Sequence, residues 1–288
     1  MKVLIFGAAG QVGRLLAETA PAAAQVVALD RSECDVGSRT AVAEAIGRES
    51  PDLVFNAAAF TAVDAAETDA AAAFAINAVA PGVIATAARA AGARTIHIST
   101  DYVFDGYATR PYLPQDRPNP QSVYGQSKLA GEIAVRQADP QALTVRSMWL
   151  HDAAGKNFLT TMLRLMRERD HLQVVSNQTG TPTSARSLAL ALWALAARGQ
   201  TGLLHYRDDG TASWYEFALA IQEQARSLGL LSTAIPVTPI ASAHYPTPAP
   251  RPAYSVLDAS ETWQIIGASP PHWRANVQQT LEEIARHG

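Results

Sequence analysis

Apolar residues in this chain come in short, nearly unbroken runs: "KVLIFG", "VVALD", "DLVFNAA", "TIHIST" and "LTVRSMW", separated by longer Ala-rich segments of helical composition. A strand with one wet face alternates apolar and polar positions. A run that is apolar throughout marks a strand covered on both faces. Strand and helix signals taking turns in this way form the βαβ rhythm of a parallel sheet. The pattern therefore predicts an α/β fold, a doubly wound parallel sheet of the Rossmann type, over residues 1–149. Beyond Trp149 the rhythm changes. "SNQTGTPTSARS", "YRDDGTASWYEF" and "HYPTPAPRPAYS" mix Gly, Pro, Ser and Thr with aromatic and basic residues, which predicts a loop-rich, smaller C-terminal α/β domain over residues 150–288. A helix over 185–198 has the composition to pack back onto the first domain.

The richest late apolar stretch, "SLALALWALAA", lies between Arg186 and Arg198 and is about half the length of a membrane span. The opening run is interrupted at Gly7 and reads as a strand rather than a leader. No membrane association is expected. A net charge of −3 and a pI of 6.2 give no basic footprint, so nucleic acid is not an expected partner, and anionic ligands must be met by local groups. The single cysteine, Cys34, has no internal partner and suits a small buried residue in a reducing, cytoplasmic compartment.

Chemistry enters with "GAAGQVG", where Gly7, Gly10 and Gly13 lie between the first strand and a helix that begins near Gln11. The first glycine allows a tight turn, the second lets backbone approach a pyrophosphate, and the third lets helix and strand pack closely. Gln11 and Val12 belong to the same loop-to-helix turn. The second strand ends in "VVALDRSECD". Asp30 there stands where an acid takes ribose hydroxyls, which favours NAD, while Arg31 could neutralise a 2′-phosphate and keeps NADPH open. Asp35 is a further candidate in the same loop. Ala59, Phe60 and Thr61 follow the third strand, and Thr100 and Asp101 follow the fourth. All sit at carboxyl ends of strands, where open α/β sheets bind ligands.

The segment "SVYGQSKLAGE" places Tyr124 four residues ahead of Lys128, in a chain with only two other lysines, Lys2 and Lys156. On a helix these share a face. Reducing a ketone requires a proton for the developing alkoxide, and an ammonium beside a phenol would lower its pKa toward neutrality. The compact lysine head also suits a bond to the nicotinamide ribose better than a guanidinium fork. Thr100 would add a second hydrogen bond to the alkoxide.

Together with "NAAAFTAVDAAE", "STDYVFDG", "NFLTTMLRL", "NQTGTPT" and "YPTPAPRP", these motifs resemble the dTDP-4-dehydrorhamnose reductase family of extended short-chain dehydrogenase/reductases over nearly the full length. The resemblance implies reduction of the C4 ketone of dTDP-4-dehydro-6-deoxy-L-mannose by NADH or NADPH, with Tyr124 as acid, Lys128 as its partner and Thr100 as helper. It implies that Thr100, Asp101 and Tyr102 touch the sugar, that Trp149 forms an apolar wall, that Asn157 binds substrate, and that Arg251 faces the diphosphate. Lys156 and Gln178 are secondary candidates. Some members carry glutamates that bind magnesium between subunits, one just after the third glycine, where this chain has Arg14 and Leu15. No histidine cluster suggests another site, so no metal is assigned, and a monomer or homodimer is expected. Three other outcomes fit part of the pattern: a different nucleotide-sugar 4-ketoreductase, an epimerase using the same Thr–Tyr–Lys set, and a nucleotide-binding regulatory subunit without catalysis.

Overall fold

A computed structural model describes residues 1–287. In chain order the elements are β1 (Lys2–Phe6), α1 (Gln11–Glu18), β2 (Gln25–Leu29), α2 (Arg39–Glu49), β3 (Leu53–Asn56), α3 (Val63–Thr68), α4 (Ala70–Phe74), α5 (Ala80–Ala90), β4 (Arg94–Thr100), α6 (Val123–Ala138) and β5 (Leu143–Ser147). They continue with β6 (Leu150–His151), α7 (Phe158–Glu168), β7 (Leu172–Val175), β8 (Thr179–Gly180), β9 (Thr183–Ser184), α8 (Ala185–Ala197) and β10 (Gly202–His205). The last are β11 (Ala212–Ser213), α9 (Trp214–Ser227), β12 (Val237–Ile240), α10 (Ser260–Ile266) and α11 (Trp273–His287).

Six parallel strands form the central sheet in the order β10-β5-β4-β3-β1-β2. Each apolar run of the sequence became one of its strands. Both faces are covered. On one, Val3, Ile5, Phe55 and Val145 pack with α1 and α8; on the other, Leu4, Phe6 and Val54 pack with α2 and α5. Burial on both sides removes the reason for alternation, which is why the strands read as continuous apolar runs.

The sheet is completed from beyond residue 150. Helix α8 packs on α1, with the Trp193 indole N–H donating to the Leu16 carbonyl at 3.0 Å and its ring edge-on to Phe55 at 4.9 Å. β10, "GLLH", then adds the sixth strand beside β5. The same half of the chain also builds a second core from α7, α9 and α11, around Leu159, Phe217, Ile221 and Val277. The longest apolar helical stretch is Ala70–Ala90, where a π-helical segment at Ala75–Val79 joins α4 to α5. At 21 residues and a mean hydropathy of 1.7 it has the length and composition of a span, which the sequence reading, weighing only the shorter stretch before Arg198, did not single out. In the fold it packs against α2 and α6 as a covering layer, with Pro81, Ile84, Ala85 and Ala88 buried.

Candidate active site

The strand order reverses direction between β1 and β3, and crevices at such switch points receive ligands in open α/β sheets. The glycine loop after β1 and the 57–61 loop after β3 flank it. Gly7 has φ +86°, and a Cβ there would lie 2.6 Å from the Ala58 nitrogen; a Cβ on Gly13 would lie 2.2 Å from the Gly7 carbonyl oxygen. Both positions are closed to any side chain. Gly10 differs, since its nearest neighbour would be the Gly7 oxygen at 3.3 Å. It is also the N-cap of α1, without a side-chain cap and without an acid in the first turn, whereas Ser or Asn side chains cap α2, α6, α7, α8 and α9. Gln11 follows, half-buried, with Val12 turned into the core.

Asp30 closes β2. Its Oδ1 accepts from the Ser32 hydroxyl at 2.6 Å, the Ser32 amide at 2.7 Å and the Glu33 amide at 3.3 Å, and the Ser32 bonds hold its carboxyl below the usual carboxylate range. Arg31 and Asp35 are exposed in the same loop. Phe60 is fixed through its backbone: Asn77, in the π-helical segment, accepts from the Phe60 amide at 2.8 Å and donates to its carbonyl at 3.0 Å. Asn77 also donates to Ser127 on α6 at 3.1 Å. Ala59 and Thr61 flank this clamp.

Thr100 ends β4, and Tyr124 and Lys128 project from the first two turns of α6. Ser122 caps that helix by accepting from the Gly125 amide at 3.1 Å. A Cβ on Gly125 would fall 2.2 Å from the Tyr102 carbonyl oxygen, so glycine there lets α6 lie against the turn that follows Thr100. The Thr100 hydroxyl donates to Asp101 Oδ1 at 3.1 Å and accepts from the Tyr102 amide at 3.3 Å. Tyr102 and Tyr124 meet edge to face at 5.4 Å. Asp101 is buried, and the loss of solvent raises its carboxyl to about 6 against hydrogen bonds from Ser255 and Thr100.

The electrostatics differ from the expected lowering of the phenol. Burial of the Tyr124 hydroxyl pushes it up to about 12, with the Thr100 hydrogen bond acting in the opposite sense. Lys128 is 2% exposed and donates to the Ile98 carbonyl at 2.6 Å. Its ammonium is thus engaged by strand β4, and burial lowers it to about 8, opposed by Glu132. Desolvation penalises both charged forms and is the largest influence on each. Beside Lys128, His97 is fully buried and kept neutral first by burial and then by the nearby ammonium, and its Nδ1 lies 3.1 Å from the Asn56 amide nitrogen.

A cleft beside this set is lined by Tyr102, Phe104, Asp105, Gln121 and Arg251. Arg251 is held there by a two-pronged bond to Asp64, at 2.9 and 2.8 Å. Trp149 adopts φ 44°, a conformation that costs a bulky residue roughly 1–2 kcal/mol. It stacks on Trp214 with centroids 3.5 Å apart, and its backbone carbonyl accepts from Thr183 at 3.1 Å. Asn157 is the N-cap of α7 in a capping box with Thr160, its amide also donating to the Asp152 carbonyl at 2.8 Å. Lys156 is exposed in the loop before α7, and Gln178 is buried just before β8. At the positions that depart from the magnesium-binding pattern, Leu15 is buried in the core and Arg14 is paired with Asp152 and Glu18.

Sequence reasoning missed Asp64, Asn77, Asn56 and the buried pair Glu132–Arg146. Of these only Glu132 carried a local signal, one helical turn beyond Lys128 in the quoted segment.

A family profile described as "RmlD substrate binding domain" matches residues 1–286. The dTDP-4-dehydrorhamnose reductase of Burkholderia thailandensis is 44% identical over 295 residues, covering 99% of each chain. The protein of the same name from Mycobacterium tuberculosis is 42% identical over 288 residues, covering 97% of this chain and 92% of that one. Among solved structures, a dTDP-4-dehydrorhamnose reductase from Clostridium acetobutylicum superposes with a TM-score of 0.93 at 37% identity, covering 99% of each chain. One from Bacillus anthracis, solved in complex with NADP, gives 0.92 at 31% identity over 98% of this chain and 99% of that one. With its motifs, its fold and its whole described length in agreement, the chain belongs to the dTDP-4-dehydrorhamnose reductase family.

Proposed function

We propose that this protein reduces the C4 ketone of dTDP-4-dehydro-6-deoxy-L-mannose to give dTDP-L-rhamnose, with NADH or NADPH as reductant. The observation that carries this reading is the hydrogen bond between Thr100 and Tyr124 at the carboxyl end of β4, with Lys128 one turn on along α6 and bonded to Ile98 of that strand, on the sheet edge where the uncapped α1 also begins. The residues fit a dinucleotide. α1 starts at Gly10, where a Cβ would meet only the Gly7 oxygen at 3.3 Å, and its free amides and positive helix end suit a pyrophosphate. Asp30, with Oδ1 committed to its own turn, would offer Oδ2 to the adenosine ribose, and exposed Arg31 would meet a 2′-phosphate. The 57–61 loop, clamped by Asn77, would bound the same crevice. Lys128 would hold the nicotinamide ribose.

The bound cofactor supplies a hydride to C4. Tyr124 gives its phenolic proton to the oxygen of that carbon, and the Thr100 hydroxyl, now donating to Asp101, turns to the same oxygen as a second donor. Lys128 offsets the negative charge left on the phenolate. Asp101 and Tyr102 would orient the sugar, Arg251 would face the diphosphate from its seat on Asp64, and Trp149 would bound the apolar side. Asn157 supports this indirectly, by capping α7 behind the Trp149–Trp214 stack.

The test is incubation with enzymatically made dTDP-4-dehydro-6-deoxy-L-mannose and either reduced cofactor, following its oxidation and identifying the product. Stoichiometric consumption with formation of dTDP-L-rhamnose is expected. An epimerised sugar formed with no net loss of reduced cofactor would overturn it.

A further inference from the structure

Beneath the proposed catalytic set lies a buried ion pair that takes no direct part in the reaction. Glu132, on α6 four residues beyond Lys128, is 7% exposed, and Arg146, on β5, is 2% exposed. Arg146 Nε donates to Glu132 Oε1 at 2.8 Å and Nη2 donates to Oε2 at 2.6 Å, a two-pronged grip. The Ser99 hydroxyl donates to the same Oε1 at 2.5 Å. The remaining guanidinium nitrogen reaches the Pro114 carbonyl at 3.3 Å and His205 at 3.4 Å, and Phe104 faces the cation at 5.0 Å. Burying two ions costs several kcal/mol each before their attraction returns any of it, and apolar residues of like volume hold elements together as well or better. A fastening alone does not account for a charge here.

Two features point to what the charge does. Ser99 is the residue before Thr100, so one carboxylate grips both the strand that ends in Thr100 and the helix that carries Lys128. Lys128 itself has a single hydrogen bond, to the Ile98 carbonyl, in surroundings that disfavour an ammonium. The groups facing it are Tyr124 and Glu132 on its own helix and His97 on β4, while the Arg146 charge on β5 is spent on Glu132. His97 is neutral and repelled by the ammonium. Glu132 is the group that opposes the effect of burial on Lys128.

We propose that Glu132 is a positioning residue for Lys128: locked by Arg146 and Ser99, it sets α6 against Thr100 and supplies the negative charge that keeps the buried lysine an ammonium. The proposal rests on the reading of Lys128 as the partner of Tyr124, but its test does not depend on turnover alone. With only three lysines in the chain, selective 13Cε labelling gives each a resolvable NMR titration. In the wild-type protein Lys128 is expected to be protonated at neutral pH, with its midpoint lowered by burial. In Glu132→Gln its midpoint falls by about one pH unit or more, and the alkaline limb of kcat/KM moves with it, a loss approaching 10-fold above both midpoints. The sugar KM changes less than about 2-fold, because uniform binding is untouched. Glu132→Asp, which keeps the charge, restores most of the midpoint.

Because Glu132→Gln strands the buried Arg146 charge and threatens the fold, the paired variant Glu132→Gln with Arg146→Met, which strands no ion, runs beside it and is expected to shift the midpoint in the same direction but by less, since the Arg146 cation that also disfavours the ammonium is gone. A Lys128 midpoint unchanged in a folded variant overturns the proposal, as does a neutral Lys128 at pH 7 in the wild type. If both variants fail to fold, the pair is a fastening and the proposal falls. A wild type that titrates as expected but reduces no ketone would instead reject the functional reading.

Discussion

Tyr124 and Lys128 are placed by different pressures, and each can be tested separately. A phenol held near 12 stays protonated throughout the neutral range, which suits a donor. Tyr124→Phe removes that proton and keeps the ring packed against Tyr102, so turnover should fall on the order of 10²-fold or more while cofactor affinity stays near wild type. Near-normal turnover by the folded variant would remove Tyr124 from the reaction. Asp30 raises a sharper question, because its Oδ1 already serves the turn through Ser32 and Glu33. Asp30→Ala should shift the ratio of kcat/KM for NADH and NADPH toward NADPH, through loss of the carboxylate at the ribose. An unchanged ratio would leave Asp30 as a turn residue and nothing more.

The glycine loop separates two uses of one residue type. Gly13 is demanded by the protein, since a Cβ there collides with the Gly7 carbonyl, whereas a Cβ on Gly10 would need the Gly7 oxygen, at 3.3 Å, to give by only a few tenths of an ångström. Gly13→Ala should therefore lower the melting temperature, through displacement of α1 from β1. Gly10→Ala should leave the melting temperature within a few degrees of wild type and weaken cofactor binding by 10-fold or more, on the order of 1.4 kcal/mol, because its methyl group points where a pyrophosphate would lie. Calorimetry and cofactor titration on both variants distinguish the cases. Equal loss of stability in the two would mean that the loop is purely structural. Helix α6 shows the same economy: Gly125 gives up a side chain so that the helix carrying Tyr124 and Lys128 lies against the Tyr102 backbone that follows Thr100.

The late part of the chain closes the early sheet, and the molecule's stability should report that closure. Trp193 is 5% exposed between α1 and β3, so Trp193→Ala should cost about 3–5 kcal/mol and lower the melting of the whole protein, not of its C-terminal half alone; a two-step melt with the sheet intact would contradict this. Titration should act on the whole molecule as well. His151 and His205 are held neutral by burial, down to about 3. Over that interval the unfolded chain binds more protons, so their contribution is present above about 6.5 and is lost as pH falls toward 3. Asp208, raised to about 7 by burial, acts oppositely: the folded state binds its proton first, and its contribution is full below about 3.9 and lost as pH rises through 7. Asp208→Asn should then make the fall in melting temperature between pH 7 and pH 4 steeper than in the wild type. A shallower fall would show that Asp208 is ionised in the native protein.

Five of the six sheet strands were legible as apolar runs, because burial on both faces writes itself directly into composition. The glycine spacing, Thr100 and the Tyr124–Lys128 pair were legible too, since each depends on residues within one turn or one strand end. β10 was not, because four residues of "GLLH" carry no more signal than any buried loop until β5 offers its edge. The electrostatics of the site were also hidden. Spacing on a helix tells that a phenol and an ammonium share a face, but desolvation depends on everything packed over them, and here it is the largest influence on both. Asp64 beneath Arg251, and Arg146 and Ser99 around Glu132, come from elements far apart in the chain. Local sequence dictates which groups an element can present; only the packing of distant elements decides which charges meet, and how much water is left between them.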